Sequence, residues 1–120
     1  MTALLDAAAD ANPTVDIYRQ LRGLIVSGQL AADERLPTVR QTAGDLGVAP
    51  GTVAKAYKLL ERDGLVVTRT AAGTRVAASA AVLPRPVLQQ VRALVDVSAE
   101  SSAGLDDVID VLRAVWRAGG

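Results

Sequence analysis

TVRQTAGDLGVAPGTVAKAYKLLERDG, residues 38–64, decides the fold. It opens on Thr38 with Gln41 three residues later, the capping-box pattern in which side chain and backbone satisfy each other's orphan N–H groups. Val39, Ala43 and Leu46 then recur at helical spacing until Gly47, a residue free to take positive φ. A second helix starts at Pro50, where the missing N–H of proline is not needed, and stops at Gly64. Its apolar stripe is Val53, Ala56, Tyr57 and Leu60, which leaves the opposite face free.

Working outward, Ile17, Leu21, Leu24 and Ile25 predict a preceding helix over about 14–27, with Tyr18 completing its buried stripe and Ser27-Gly28 as the stop. Residues 29–35 read as a loop and Leu36-Pro37 as a short extended lead into the next helix. Downstream, Leu65-Val66-Val67-Thr68-Arg69 is a β-branched run, and Gly73-Thr74-Arg75-Val76 reads as its antiparallel return. Three helices, a glycine turn between the second and third, and a hairpin form the order of a winged helix-turn-helix. The expected fold is mainly α with a small β wing, followed by two short C-terminal helices for dimerisation. The expected divisions are a flexible arm over 1–13, the DNA-binding domain over 14–78, and a linker with a helical dimerisation segment over 79–120.

Composition narrows the function classes. The chain of 120 residues has no Cys and no His, which excludes disulfides, thiolate and imidazole chemistry, and metal sites built on those ligands. No nucleophile–base pairing or phosphate-cradling glycine loop is visible, so an enzyme is not expected, nor a cofactor. Asp106, Asp107 and Asp110 cluster, but charge at a helix N-terminus explains the first two better than a metal. No run reaches the roughly 18 apolar residues of a membrane helix, and the first residues are acidic where a signal peptide is basic, which places the chain in the cytoplasm, away from membranes. Net charge is zero but unevenly spread: residues 14–76 hold nine Lys/Arg against six Asp/Glu.

The second of the two central helices is narrow enough to enter a major groove while its apolar stripe packs inward. Its free face carries Gly51, Thr52, Lys55, Lys58 and Arg62, of which Thr52 and Lys55 lie nearest the end that enters the groove. Thr38 and Arg40 stand at a helix N-terminus suited to a backbone phosphate. The alternative for the lysines is a solvated charged face, and for Arg40 an ion pair with Asp45 or Glu61.

These residues resemble a known family. Ile17-Tyr18-Arg19-Gln20-Leu21, Ser27-Gly28-Gln29-Leu30, Arg35-Leu36-Pro37-Thr38-Val39-Arg40, Leu46-Gly47-Val48, Thr52-Val53, Ala56-Tyr57, Leu59-Leu60-Glu61, Asp63-Gly64-Leu65 and Gly73-Thr74-Arg75-Val76 are similar to the DNA-binding domain of GntR-family regulators. Pro50 in its setting, the Lys55-Ala56-Tyr57 step and the short C-terminal part resemble the YtrA subfamily. The resemblance implies a homodimeric repressor, with Arg40 and Thr52 on DNA, the wing tip at Gly73 near the minor groove, and a transporter-type operon as target. Pro50 and Ala54 stand where many members carry Arg or Lys, and Thr70-Ala71-Ala72 where many carry a basic wing. More of the phosphate load then falls on Lys55, Lys58, Arg69 and Arg75.

Larger members place a ligand-binding domain after the wing, for which this chain has no room, and no effector is identified. Val87, Leu88, Val91, Leu94 and Val95 mark one helix to about residue 99; Leu105, Val108, Ile109, Leu112, Val115 and Trp116 mark another. Two such stripes predict pairing with a second copy, except that Trp116 has the alternative of plugging the chain's own core. A dimer implies double-stranded DNA with a roughly palindromic operator, its half-sites about 34 Å apart or a multiple of that. A winged-helix module used for protein contact is the competing class, favoured by zero net charge and the bare Ala71-Ala72.

Overall fold

The computed structural model describes residues 5, 12–69 and 73–119. Most of the N-terminal arm and the wing tip at Thr70, Ala71 and Ala72 lie outside the described residues. The chain divides into two compact units, Met1–Leu83 and Pro84–Gly120.

In the first unit, α1 spans Pro13–Val26, α2 Val39–Leu46 and α3 Pro50–Arg62, followed by β1 at Val66–Arg69 and β2 at Gly73–Val76. Helix α1 begins one residue ahead of the expected Thr14, because Asn12 caps it by accepting the Val15 N–H at 3.3 Å and Pro13 takes the first turn. The capping box on α2 is complete: Thr38 Oγ1 accepts the Gln41 N–H at 3.1 Å, and Gln41 Oε1 accepts the Thr38 N–H at 2.8 Å. Gly47 ends α2 in the left-handed conformation, φ 67°, which lets the chain turn into α3 within three residues.

The core lies between α1, α3 and the wing. Ile17, Val53, Ala56 and Leu60 are wholly buried, and Leu21, Ile25, Leu30 and Leu36 nearly so. Tyr18 and Leu24 are half-buried at the edge of this cluster rather than inside it. Tyr18 instead reaches outward and donates its O–H to Asp63 Oδ2, tying α1 to the residue that closes α3. That bond raises the Tyr18 phenol above its ordinary pKa and holds the Asp63 carboxyl below the usual range, with Arg62 adding to the latter. Leu5 also packs into the core at 7% exposure.

Two features of this unit have no periodic signature. Thr42 on α2 is buried, and its hydroxyl lies 2.9 Å from the Tyr57 hydroxyl, which in turn donates to the Pro37 carbonyl at 2.7 Å. The tyrosine has one proton, so with Pro37 as its acceptor, Thr42 is the donor in the other bond. The second feature corrects the expected loop over 29–35: its last residues pair with β2. Asp33 N–H bonds Val76 O at 3.0 Å, Val76 N–H bonds Glu34 O at 2.9 Å and Leu36 N–H bonds Thr74 O at 2.8 Å. The wing is a two-stranded antiparallel hairpin with Val66 opposite Val76 and Arg69 opposite Gly73, extended at one edge by this segment.

After β2 the chain returns over the first unit. Ala80 packs against the core, and Leu83 N–H bonds the Val26 carbonyl at 2.9 Å, occupying an open acceptor at the end of α1.

In the second unit, α4 spans Arg85–Glu100 and α5 Leu105–Arg117. The two are joined by a tight turn in which Ala103 N–H bonds Ser98 O at 2.9 Å. Asp106 and Asp107 in the first turn of α5 and Arg117 in its last complement the helix dipole. No residue of either helix is buried. Among the described residues, no helix is long and apolar enough to cross a membrane.

Candidate nucleic-acid interface

The expected DNA contacts come from three elements of the first unit. Thr38 and Arg40 stand at the start of α2; Gly51, Thr52, Lys55 and Lys58 lie on α3; Arg69, Gly73 and Arg75 lie on the wing. Val53, Ala56, Tyr57 and Leu60 turn the inner face of α3 to the core, and Gly51, Lys55 and Lys58 are exposed on the other. Helical spacing places Thr52 one turn from Lys55.

Thr52 is half-buried, held at its backbone by the Thr14 hydroxyl, which donates to the Thr52 carbonyl at 3.2 Å. Its own hydroxyl bonds no described residue. The N-terminus of α3 has no side-chain cap, because Ala49 offers no acceptor. Pro50 has no N–H and the Thr52 N–H bonds the Ala49 carbonyl at 3.0 Å, so of the first three residues only Gly51 offers an amide to an anion. At α2 the capping box uses the Thr38 oxygen as an acceptor and the Thr38 N–H as a donor, which leaves Thr38 its hydroxyl proton for an external partner.

Ion pairing is sparse over the described surface, and the candidate contacts keep their charge. Among the described residues the sole ion pair within 4.0 Å is Arg62 with Asp63, at 3.4 Å. Arg40 pairs with neither Asp45 nor Glu61, and Lys55, Lys58 and Arg69 bind no carboxylate. Arg75 donates through Nη1 to the Asp33 backbone carbonyl at 3.0 Å, a bond that orients the guanidinium and leaves its charge unneutralised.

On the wing, strand alternation sorts the residues by face. Val66 and Val76 point into the core, each 2% exposed. Val67, Arg69, Gly73 and Arg75 share the outer face and line a groove of about 570 Å³ that continues past Asp33 toward Ser79. Gly73 has φ 72°, and a Cβ there would meet Arg35 Nε at 3.1 Å, so the Arg35 side chain lies across the glycine. Arg35 was not among the residues the sequence singled out; its signal is visible only once residues 33–36 are paired with β2.

The residues expected at a dimer interface belong to the second unit. Leu88, Val108 and Ile109 are half-buried, whereas Val91, Leu94, Val95, Leu105, Leu112, Val115 and Trp116 are exposed. Leu94, Val108, Leu112 and Val115, with Val111, line a cleft of about 380 Å³. Trp116 is 80% exposed.

Comparison with known proteins gives a consistent result. The family of bacterial regulatory proteins, gntR family, matches residues 13–76, more than half the chain. The HTH-type transcriptional regulator Rv1152 of Mycobacterium tuberculosis is 47% identical over 62 residues, covering 48% of this chain and 51% of that protein. The HTH-type transcriptional repressor YtrA of Bacillus subtilis is 38% identical over 64 residues, covering 53% and 49%. The matched segment thus spans about half the length of each relative. Among solved structures, YtrA from Sulfolobus acidocaldarius, a GntR-family transcription factor, superposes with a TM-score of 0.54 at 30% identity, over 72% of this chain and 90% of that one. The chain therefore belongs to the GntR family of bacterial transcription regulators, carries its winged helix-turn-helix DNA-binding domain, and is YtrA-like within it.

Proposed function

We propose that this chain is a homodimeric, operator-binding repressor that acts in the cytoplasm. One observation carries the DNA reading: Arg40, Lys55, Lys58, Arg69 and Arg75 are exposed cations without a carboxylate partner, on the helix-turn-helix and wing. Exposed cations carried by the helix-turn-helix and the wing suit a polyanion, whose counterions are released on binding. Thr52 and Lys55 meet base edges, Arg40 and the N-terminal turn of α2 meet a phosphate, and the wing residues Arg69, Gly73 and Arg75 approach the flanking groove.

The dimer rests on the second unit, whose two helices have no fully buried residue and expose Leu105, Val111, Leu112, Val115 and Trp116. An apolar surface of that kind on helices too few to enclose it is covered most simply by the same helices of a second copy. The B. subtilis relative is named a repressor, which supports the same output here. A palindrome from upstream of the chain's own gene, titrated by fluorescence anisotropy over a salt series, tests the proposal. Preference over scrambled duplex with a steep salt slope supports it. Equal, weak binding to both duplexes refutes it in favour of a winged-helix module for protein contact.

A further inference from the structure

Resting on the DNA reading above, we propose that Arg35 is a further DNA-backbone contact, forming with Arg75 a two-arginine phosphate clamp at the base of the wing. The two residues face each other as an antiparallel bridge. The flanking bonds, Leu36 N–H to Thr74 O at 2.8 Å and Val76 N–H to Glu34 O at 2.9 Å, make this a pair with no hydrogen bond of its own. In such pairs the Cα atoms approach most closely and both side chains leave on the same face. Two like-charged side chains therefore start from directly opposed positions, an arrangement that disfavours a sheet.

Among the described residues no ion pair relieves that repulsion. Neither arginine has a carboxylate within 4.0 Å, and the Glu34 carboxylate is engaged by the Ala31 N–H at 3.0 Å. Asp33, which also borders the outer groove, offers Arg75 its backbone oxygen. The Arg35 guanidinium extends over Gly73, the position opposite Arg69, where a Cβ would force it to shift. Three arginines thus share the outer wing face around a glycine that leaves room for a planar fork. Guanidinium forks match phosphate oxygens bidentately, and an anion between Arg35 and Arg75 converts their repulsion into binding.

Phosphate contacts are independent of sequence, so a mixed-sequence duplex suffices as the probe. Arg35→Gln in the full chain is expected to lower the slope of log affinity against log salt by about 0.9 for each protomer on the duplex. Arg35→Met, which keeps the stem over Gly73 without the charge, is expected to do the same, and Arg35→Lys to retain most of the slope. Wild-type slope in both uncharged variants overturns the clamp while leaving DNA binding intact. A wild-type protein without salt-dependent binding overturns the DNA reading on which the clamp rests.

Discussion

Tyr57 on α3 donates its phenolic proton to the carbonyl of Pro37, the residue immediately before the cap of α2, at 2.7 Å. The bond fixes the start of one helix against the middle of the other, and Thr42 completes it from inside α2 at 2.9 Å. Burial raises the phenol's pKa above its ordinary value, partly offset by the Thr42 bond. Tyr57→Phe leaves the buried Thr42 hydroxyl without its partner, at a cost of about 1–3 kcal/mol of unfolding free energy by urea titration. In the wild type the folded pKa lies above the unfolded one. Its contribution is complete below the unfolded value near pH 10 and is lost as pH rises through the folded value. The alkaline limb of the stability profile should therefore be shallower in Tyr57→Phe.

Thr38→Ala removes the acceptor for Gln41 N–H and opens the capping box of an eight-residue helix. A loss of about 0.5–2 kcal/mol is expected, with Thr38→Ser close to wild type. Chemical denaturation of the three proteins measures it.

Gly73 and Gly47 both hold positive φ, 72° and 67°, but only Gly73 has side-chain atoms where a Cβ would go. Gly47→Ala should show the conformational cost alone, roughly 1–2 kcal/mol. Gly73→Ala should add to a similar cost the displacement of Arg35, read as a lower unfolding midpoint together with a reduced salt slope of DNA binding. Equal behaviour of the two variants in both measurements would contradict the packing described between Arg35 and Gly73.

Thr52→Ala and Lys58→Ala should separate specificity from attraction. Loss of the Thr52 hydroxyl is expected to reduce the preference for operator over mixed-sequence duplex by an amount near the lower edge of the ~1–3 kcal/mol that a good base contact carries. Lys58→Ala should weaken both duplexes alike and lower the salt slope by about 0.9 per protomer. Parallel losses in the two variants would sink the division of roles.

Trp116 is the only tryptophan of the chain, and it is 80% exposed in the protomer. If a second copy covers α5, tryptophan emission shifts to shorter wavelength as concentration rises, and Leu112→Asp abolishes the shift. Sedimentation velocity on the same samples should show dimer giving way to monomer in the variant. A concentration-independent spectrum and a monomeric wild type would remove the interface from α5.

The sequence made visible what depends on neighbours along the chain. The stripe of α3, the Thr38 and Gln41 box, the glycine stops and the β-branched wing strands all follow from spacing within one or two turns. What escaped depends on distant partners. Thr42 looks like a polar position in a short helix, and only Tyr57, 15 residues on, makes it a buried one. Arg35 looks like a loop cation until Arg75, 40 residues away, is set opposite it. Leu5 lies in an alanine- and aspartate-rich stretch with no periodic company, so its place in the core had no local signal.

The segment that pairs with β2 does not end there; it runs through Leu36 and Pro37 straight into the first turn of α2. Arg35 on the wing face and Arg40 at the helix start are therefore joined by a short stretch of extended backbone, pinned at Leu36 by Thr74 and at Pro37 by Tyr57. For a duplex docked as proposed, this stretch works as a caliper. Groove width varies with base sequence, and a fixed span between two cationic jaws fits some widths better than others. Base pairs that no side chain touches would then influence affinity through their shape.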